Sequence, residues 1–480
     1  MTVDGWIDRT AGEAPDRVAI AFEGEELTYR AFAELIETRA AQLHARGVVK
    51  EDRIAWLGMN APEVFVLLFA AARLGAVLVP LNWRLADAEV AGIIADCAPM
   101  HLFHDDEAGD RARALAPDVA EPVWSNTAPS IPAPRDGALC DPLLIVYTSG
   151  STGVPKGAVL AQEALVANAA MSVEAHRLVP EDRVLTVLPL FHVGGLNILP
   201  TPAFSIGATV VLHRAFHPAR AAAALSDVAT AIVVPTVLQA VLTEPGWAEA
   251  DLSALRCFSF GSTDVPRELI NAVHARGVPV IQVYGATETA PFAIYQTVET
   301  AMETAGSIGR VGSACEVRLV GAEGQDVAEG TPGEIWVKGA NTLLSYWKNA
   351  EETEAAIQDG WFRTGDVASV DADGNYWFAD RIKHVIISGG ENIYPAEIER
   401  VLREHPKVAE VSVVGAPHAK WGETPVAVVA AEGEIDETAV LGYLEGRIAR
   451  YKRPTRVVFV DALPRNAMGK VVTEAVKTLL

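Results

Sequence analysis

Cysteine is scarce in this chain. Only Cys97, Cys140, Cys257 and Cys315 occur in 480 residues, with no Cys-x-x-Cys pair. That spacing excludes a disulfide framework, speaks against a structural zinc site, and fits a reducing cytoplasm. Positive charge is also short: the formal net charge is −23. Nucleic acid is therefore excluded as a partner, because phosphate backbones recruit basic surfaces. Small anionic substrates remain open, since a local cluster of Lys and Arg overrides the global sign. A long uninterrupted apolar run is missing as well. The most hydrophobic stretch, Val64 to Leu81, is broken by Arg73 and Gly75, so it reads as a buried helix and a buried strand, not a membrane span. The opening "MTVDGWIDRT" is acidic where a signal peptide is basic. Histidine and cysteine never stand at ligand spacing, which excludes a dedicated metal cage. Walker A, Gly-x-Gly-x-x-Gly and Gly-x-Ser-x-Gly patterns are absent too.

What is present is α/β texture. A chain of 480 residues is long for one core, so two or more domains are expected. "TYRAFAELIETRAAQLHARG" predicts a helix with Thr28 as N-cap and Gly47 as its stop. Short apolar runs ("RIAWLGM", "AVLVPLN", "LLIVY", "TVLPLFH", "GATVVLH", "TAIVVPT", "PVIQVYG") predict strands of largely parallel sheets. After about residue 306, glycine turns between short strands predict antiparallel sheet or a small barrel. The last hundred residues read as a compact α+β unit: helices "YPAEIERVLREH" and "DETAVLGYLEGRIARY" with strands "VAEVSVVGA" and "TPVAVVAAE". The expected boundary is near Lys383, giving domains 1–382 and 383–480.

Several segments carry chemistry. "YTSGSTGVPKG" follows an apolar strand and holds three glycines, four Ser/Thr hydroxyls and Lys156. Converging amides, hydroxyls and a lysine suit a polyphosphate; a polar turn is the alternative. "QVYGATETA" places Tyr284, Thr287 and Glu288 after another strand. A carboxylate beside a phosphate site suits Mg²⁺, whereas a helix N-terminus with a capping Thr is the plainer reading. Asp366 follows Thr364 and Gly365, as turn residues do. His192 is a lone histidine before a glycine pair, and Lys470 stands ten residues from the C-terminus.

Together, "YTSGSTGVPKG", "YGATE", "GWFRTGD", "DRIKHVIISGGENIYPAEIE" and "PRNAMGK" resemble, in the family's order, the adenylate-forming enzymes: acyl-CoA synthetases, peptide-synthetase adenylation domains and luciferases. The resemblance covers nearly the whole chain. It implies a large N-terminal domain of layered α/β sheets plus a small barrel, with a small mobile α+β C-terminal domain. It implies an AMP-forming acyl-CoA synthetase using ATP, Mg²⁺ and coenzyme A on a fatty or aryl/phenylpropanoid monocarboxylic acid. The alternatives are an ATP-binding protein without turnover, or an adenylating enzyme that delivers its acyl group to another acceptor.

The resemblance also implies roles. Thr148, Ser149, Gly150, Ser151, Thr152, Gly153 and Lys156 would hold the β- and γ-phosphates. Thr287 would meet the α-phosphate and Glu288 the Mg²⁺. Tyr284, with Gly285, Ala286, Ser262 and Thr263, would flank adenine, while Asp366 and Arg381 would bind ribose. Lys470 would bridge carboxylate and adenylate in the first half-reaction, after which the C-terminal domain would turn about Lys383. Gly389 and Gly390 would line the pantetheine tunnel. The acyl pocket would take in His192, Gly194, Asn197, Phe260, Gly261, Ala290, Pro291 and Phe292, with His192 also among the catalytic candidates. "FSFGSTDVP" departs from the family's Gly-Gly-Ala-Pro at Ser262, Thr263 and Asp264, which adds bulk near that pocket. The basic run Arg447 to Arg456 would meet the CoA phosphates, a solvated helix end being the alternative. Expected partners are the acid and CoA, a second copy of the chain, and a lysine acetyltransferase acting on Lys470.

Overall fold

The computed structural model describes the chain except residues 125–126, 128, 130–131, 149–154, 262–264, 389–390, 419–420 and 467–468, and the side chains of 391–392. The chain divides into two compact units, residues 1–317 with 337–363, and residues 318–336 with 364–480. The chain passes between the units three times, each time inside a strand: Cys315–Val320, Gly333–Gly339 and Trp361–Val370.

The first unit carries two large sheets. Six parallel strands, Val18–Phe22, Thr209–Leu212, Arg183–Thr186, Thr230–Val233, Cys257–Gly261 and Val280–Tyr284, run side by side. Short antiparallel strands continue that sheet at both edges, to nine strands among the described residues. The second sheet has seven strands in the order Ser345–Tyr346, Lys156–Ala161, Pro142–Thr148, Val77–Leu81, Arg53–Leu57, His101–His104 and Ala120–Pro122.

One apolar cluster draws on the inner faces of both sheets and on the helices Tyr29–Ala45, Pro62–Leu74 and Gln162–His176. Phe204 anchors it, with ring centroids 5.0–5.6 Å from Phe32, Phe65 and Phe69. Helix Pro62–Leu74 is apolar nearly all round and correspondingly buried. Its single buried cation, Arg73, is matched by Asp4, Asp8 and Glu37; a buried charge is tolerated only with such partners. Thr28 caps helix Tyr29–Ala45 as expected, accepting from the Ala31 amide at 3.3 Å. The strand expected over "TVLPLFH" stops early: pairing ends at Thr186, and Leu188 to Phe191 form the turn that leads to His192.

The second unit builds a sheet around the long antiparallel pair Val408–His418 and Gly422–Ala431, with Val457–Val460 parallel to the latter. Helix Pro395–Arg403 begins with Pro395 in its first turn and buries Ile398 and Leu402. The helix expected over "DETAVLGYLEGRIARY" is shorter, Glu437–Tyr443. Gly446 takes φ +72° just beyond it, a left-handed conformation that ends a helix. No helix of the described residues is long and apolar enough to cross a membrane.

Candidate active site

In the first unit the candidate residues gather at two strand ends. Thr148 closes strand Pro142–Thr148 and faces Lys156, the first residue of the antiparallel strand Lys156–Ala161. The glycine–hydroxyl loop thus starts and ends on hydrogen-bonded neighbours, although Ser149, Gly150, Ser151, Thr152 and Gly153 themselves lie outside the described residues. Lys156 directs its ammonium to Glu352, 2.6 Å from Oε1.

The second strand end is that of Val280–Tyr284, where a turn reverses the chain into Ile294–Tyr295. Gly285 is required there: a Cβ would stand 1.7 Å from the Pro291 carbonyl oxygen. Thr287 to Thr289 form a 3-10 turn, and its cap is Thr289, which accepts from the Ala286 amide at 2.9 Å. The capping threonine is thus Thr289, which leaves the Thr287 hydroxyl out of that role. The Glu288 carboxylate takes the Tyr346 hydroxyl on Oε1 at 2.7 Å, and its main-chain carbonyl accepts from the Leu343 amide at 2.8 Å. Burial, reinforced by Glu288, holds the Tyr346 phenol far above its ordinary range, so it stays a donor. Asn341 ties down the rest of the turn, donating to the Phe292 carbonyl at 2.6 Å. Tyr284 is buried, which leaves only a margin of its ring for a ligand.

The expected acyl-pocket residues do not all share one layer. His192 is half-buried and precedes the short helix Val193–Asn197, its ring centroid 4.5 Å from that of Phe191. Asn197 is fully buried, its side-chain oxygen accepting from Thr201 at 3.1 Å and its carbonyl from Asn168 at 2.6 Å. Phe292 donates its amide to Asn168 at 3.3 Å, and its ring lies 6.0 Å from His176. Gly261 faces this group, since a Cβ there would lie 2.8 Å from Ile198 Cδ1. Phe260 points the other way, into the apolar cluster of Leu185, Val233 and Val280, as the two-residue period of a strand requires. Ser262 and Thr263 lie outside the described residues, as does Asp264. His176 is fully buried, and burial lowers it to about 4.

In the second unit Asp366 is a strand residue, not a turn residue, and pairs in register with Arg381. Arg381 Nε lies 3.0 Å from Asp366 Oδ1, with Asp366 buried and Arg381 half-exposed. Gly365, at φ +71°, and the Thr364 hydroxyl, which accepts the Asp366 amide at 3.1 Å, set the approach. Lys383 sits in the 3-10 turn Ile382–His384. Its ammonium is lowered by desolvation first and Arg381 second, with Asp366 and Glu474 opposing. Lys470 follows Gly469 (φ +76°) on a turn closed by Asn466, whose side-chain oxygen accepts the Lys470 amide at 3.1 Å. The residue is solvent-exposed, yet its ammonium is lowered, by the surrounding protein first and by Arg381 second, with Asp366 opposing. The fold therefore couples Lys470 to the Asp366–Arg381 pair within one unit. Gly389 and Gly390 lie outside the described residues. Of the five cations in the run Arg447 to Arg456, two are paired locally, Lys452 with Glu397 and Arg453 with Glu445.

Sequence reading missed Tyr346, Glu352, Asn168 and Asn341. Tyr346 and Glu352 lie in "LLSYWKNAEETEAA", which shows no glycine loop and whose glutamates read as an ordinary acidic helix start; only the fold brings them to Glu288 and Lys156. Among the described residues no group of three or more His, Cys, Asp or Glu could cage a metal.

Two family models match the chain: AMP-binding enzyme over residues 7–347 and AMP-binding enzyme C-terminal domain over residues 397–470. The chain is 46% identical to an indoleacetate–CoA ligase of Aromatoleum aromaticum, the match covering 100% of this chain and 98% of that protein. It is 39% identical to a feruloyl-CoA synthase of an Amycolatopsis species, over 98% of each. It is also similar to the o-succinylbenzoate CoA synthetase of Bacillus subtilis solved with its acyl-adenylate intermediate, with a TM-score of 0.90 and 32% identity over 98% of this chain and 97% of that one. The same synthetase solved with ATP and magnesium ion matches with a TM-score of 0.87 and 31% identity, over 98% of this chain and 99% of that one.

Proposed function

The chain belongs to the AMP-binding enzymes, and from that membership we propose that it is an AMP-forming ligase joining an aryl monocarboxylic acid to coenzyme A. Ligase chemistry with ATP, Mg²⁺ and CoA follows from full-length similarity to acid–CoA ligases. The aryl preference is supported by the two relatives that take indoleacetate and ferulate by name. The observation that carries the reading is that Lys156 and Glu288, far apart in sequence, both stand beside Tyr346.

The first half-reaction forms a bond between an acid oxygen and the α-phosphorus and breaks the link to the β-phosphate, releasing pyrophosphate. In the second, the thiol sulfur bonds to the acyl carbon and AMP leaves. Two anions must approach in the first step, so positioning and charge neutralisation do most of the work. Lys156 and Thr148 would hold the outer phosphates, together with residues 149–153, and Thr287 the α-phosphate. Glu288 fits a magnesium ion because one carboxylate beside phosphate oxygens is what that ion takes, and Tyr346 occupies only Oε1. When bound, Mg²⁺ supplies charge neutralisation at the phosphate oxygens. Tyr284, Gly285 and Ala286 would flank adenine, with Ser262 and Thr263. Asp366 and Arg381 would hold ribose, and Lys470 would bridge the acid and adenylate oxygens. His192, Gly194, Asn197, Gly261, Ala290, Pro291 and Phe292 would form the acyl pocket, with Phe260 backing it from the opposite face.

We place the functional boundary at 382/383, with Lys383 as hinge and Gly389–Gly390 toward pantetheine; a short 3-10 turn between two strands suits a hinge. Lys470 is the proposed acetylation target, supported by its exposed turn. Acetylation there would remove the charge the first step uses. Four free cysteines suit a cytoplasmic setting.

The test is acid-dependent pyrophosphate release, followed by AMP and acyl-CoA formation, over indolic, hydroxycinnamic, benzoic and straight-chain acids, with and without CoA. Pyrophosphate on aryl acids and CoA-dependent thioester are expected. Turnover confined to straight chains would end the aryl reading. ATP binding without any turnover would leave a binding protein.

A further inference from the structure

The polyphosphate end of the site holds opposite charges, Lys156 and Glu288, and both border Tyr346. The fold gives each its own partner. Lys156 is given to Glu352, 2.6 Å away, and Glu288 is given to the neutral hydroxyl of Tyr346 at 2.7 Å. Tyr346 touches both: the Lys156 ammonium stands 5.9 Å from its ring centroid, and its hydroxyl is on Glu288. Resting on the reading of Lys156 and Glu288 given above, we propose that Tyr346 and Glu352 are positioning residues that set affinity for the metal–polyphosphate group. Tyr346 keeps Glu288 apart from Lys156 and open to a cation. Glu352 occupies Lys156 until the polyphosphate replaces it.

The backbone fixes this arrangement from three sides. Tyr346 pairs in register with Ala158, on the strand that Lys156 begins. Trp347 donates its amide to the Gly157 carbonyl at 2.7 Å, and Leu344 to Val159 at 2.8 Å. Leu343, three residues before Tyr346, holds the Glu288 main chain. Glu352 stands in the first turn of helix Ala350–Ala356, where Asn349 caps its amide at 3.1 Å and Thr353 accepts the Tyr346 amide at 2.9 Å. One short segment therefore governs both charged groups.

Electrostatics gives the two residues different signatures. A carboxylate freed from its neutral donor turns to the nearest cation, and a paired carboxylate binds a divalent ion less well. The Lys156 side chain is 13% exposed and that of Glu352 37%, so water screens their pair only in part. An incoming phosphate anion then competes with Glu352 for one ammonium.

The experiment uses the full-length protein without acid. Mn²⁺ binding in the presence of α,β-methylene-ATP is read by electron paramagnetic resonance, and pyrophosphate and AMP binding by calorimetry. Tyr346→Phe keeps the ring and should weaken Mn²⁺ binding about tenfold, with turnover recovered as Mg²⁺ is raised. Glu352→Gln should tighten pyrophosphate about three- to tenfold and leave AMP unmoved, because AMP has no β- or γ-phosphate. Unchanged Mn²⁺ binding in Tyr346→Phe overturns the Tyr346 half, and unchanged or weaker pyrophosphate in Glu352→Gln overturns the Glu352 half. Glu288→Gln and Lys156→Met separate the two levels. If those variants bind Mn²⁺ and pyrophosphate as the wild type does, the underlying site reading fails. If they lose binding while Tyr346→Phe and Glu352→Gln do not move, this inference alone fails.

Discussion

Asp366 and Arg381 face each other across adjacent antiparallel strands, with Arg381 Nε 3.0 Å from Asp366 Oδ1. The carboxylate is buried and the guanidinium half-exposed, so the pair presents an anchored acceptor rather than a loose surface bridge. A ribose diol needs such an acceptor for its two hydroxyl protons. Asp366→Asn keeps the shape and removes the charge. It should raise the KM for ATP by about ten- to a hundredfold, the range for hydrogen bonds to a charged group. Steady-state kinetics with ATP varied would check this, and an unchanged KM would remove Asp366 from the nucleotide site.

Lys470 shares its unit with that pair and is coupled to it electrostatically. If it neutralises oxygens in adenylation only, Lys470→Ala should slow acid-dependent pyrophosphate release by about 10²- to 10³-fold. Thiolysis of supplied acyl-adenylate should fall far less. The two half-reactions measured separately decide the matter: equal losses would mean that Lys470 supports the fold of its turn instead.

How much of this site the residues announced depends on the range of each contact. The loop before Lys156 and the turn at Glu288 are local, and their glycines, hydroxyls and carboxylate mark them without a fold. The opposed directions of Phe260 and Gly261 follow from strand periodicity, once the strand Cys257–Gly261 is known. Tyr346 is different. Its partner Glu288 lies 58 residues away, and a tyrosine in an apolar run is as good a core residue as a functional one. The helix in "DETAVLGYLEGRIARY" ends sooner than its periodicity suggests for a local reason, since periodicity does not reveal that Gly446 turns left-handed. Which threonine of "TET" caps the turn is likewise invisible in sequence, because either satisfies the pattern and only backbone geometry chooses Thr289.

His176 offers a test of the buried polar layer behind Phe292. Its Nδ1 lies 2.8 Å from the Ser172 carbonyl, and burial lowers the ring to about 4, with Arg256 acting in the same direction and the Ser172 bond opposing. The folded value is below the unfolded one, so between about pH 4 and 6.5 the unfolded chain binds a proton that the folded chain does not. Stability is then lost as pH falls through that window and is flat above it. Between pH 7 and pH 5 the wild type should lose about 2 kcal/mol that His176→Gln does not. Glu63, raised to about 7 by burial, titrates in the opposite sense, but it is common to both proteins and cancels in the difference. Urea unfolding at the two pH values provides the comparison, and parallel losses would show that His176 is charged or accessible in the folded state.

Gly261 tests where the acid sits. A Cβ at this position would lie 2.8 Å from the tip of Ile198 and 3.7 Å from the Val283 carbonyl. The close neighbour is the end of a flexible side chain, so Gly261→Ala should fold with only a small drop in melting temperature. Ile198 must give way, however, and it follows directly on Asn197 at the end of helix Val193–Asn197. If this is the pocket floor, the displaced methyl enters the space of the acid's ring. The kcat/KM for indole-3-acetate should fall about tenfold, whereas a benzoate-sized acid, too short to reach Ile198, should be little affected. Uniform loss over both acids would place Gly261 in the general adenylation machinery, and no loss over either would put the acyl ring elsewhere.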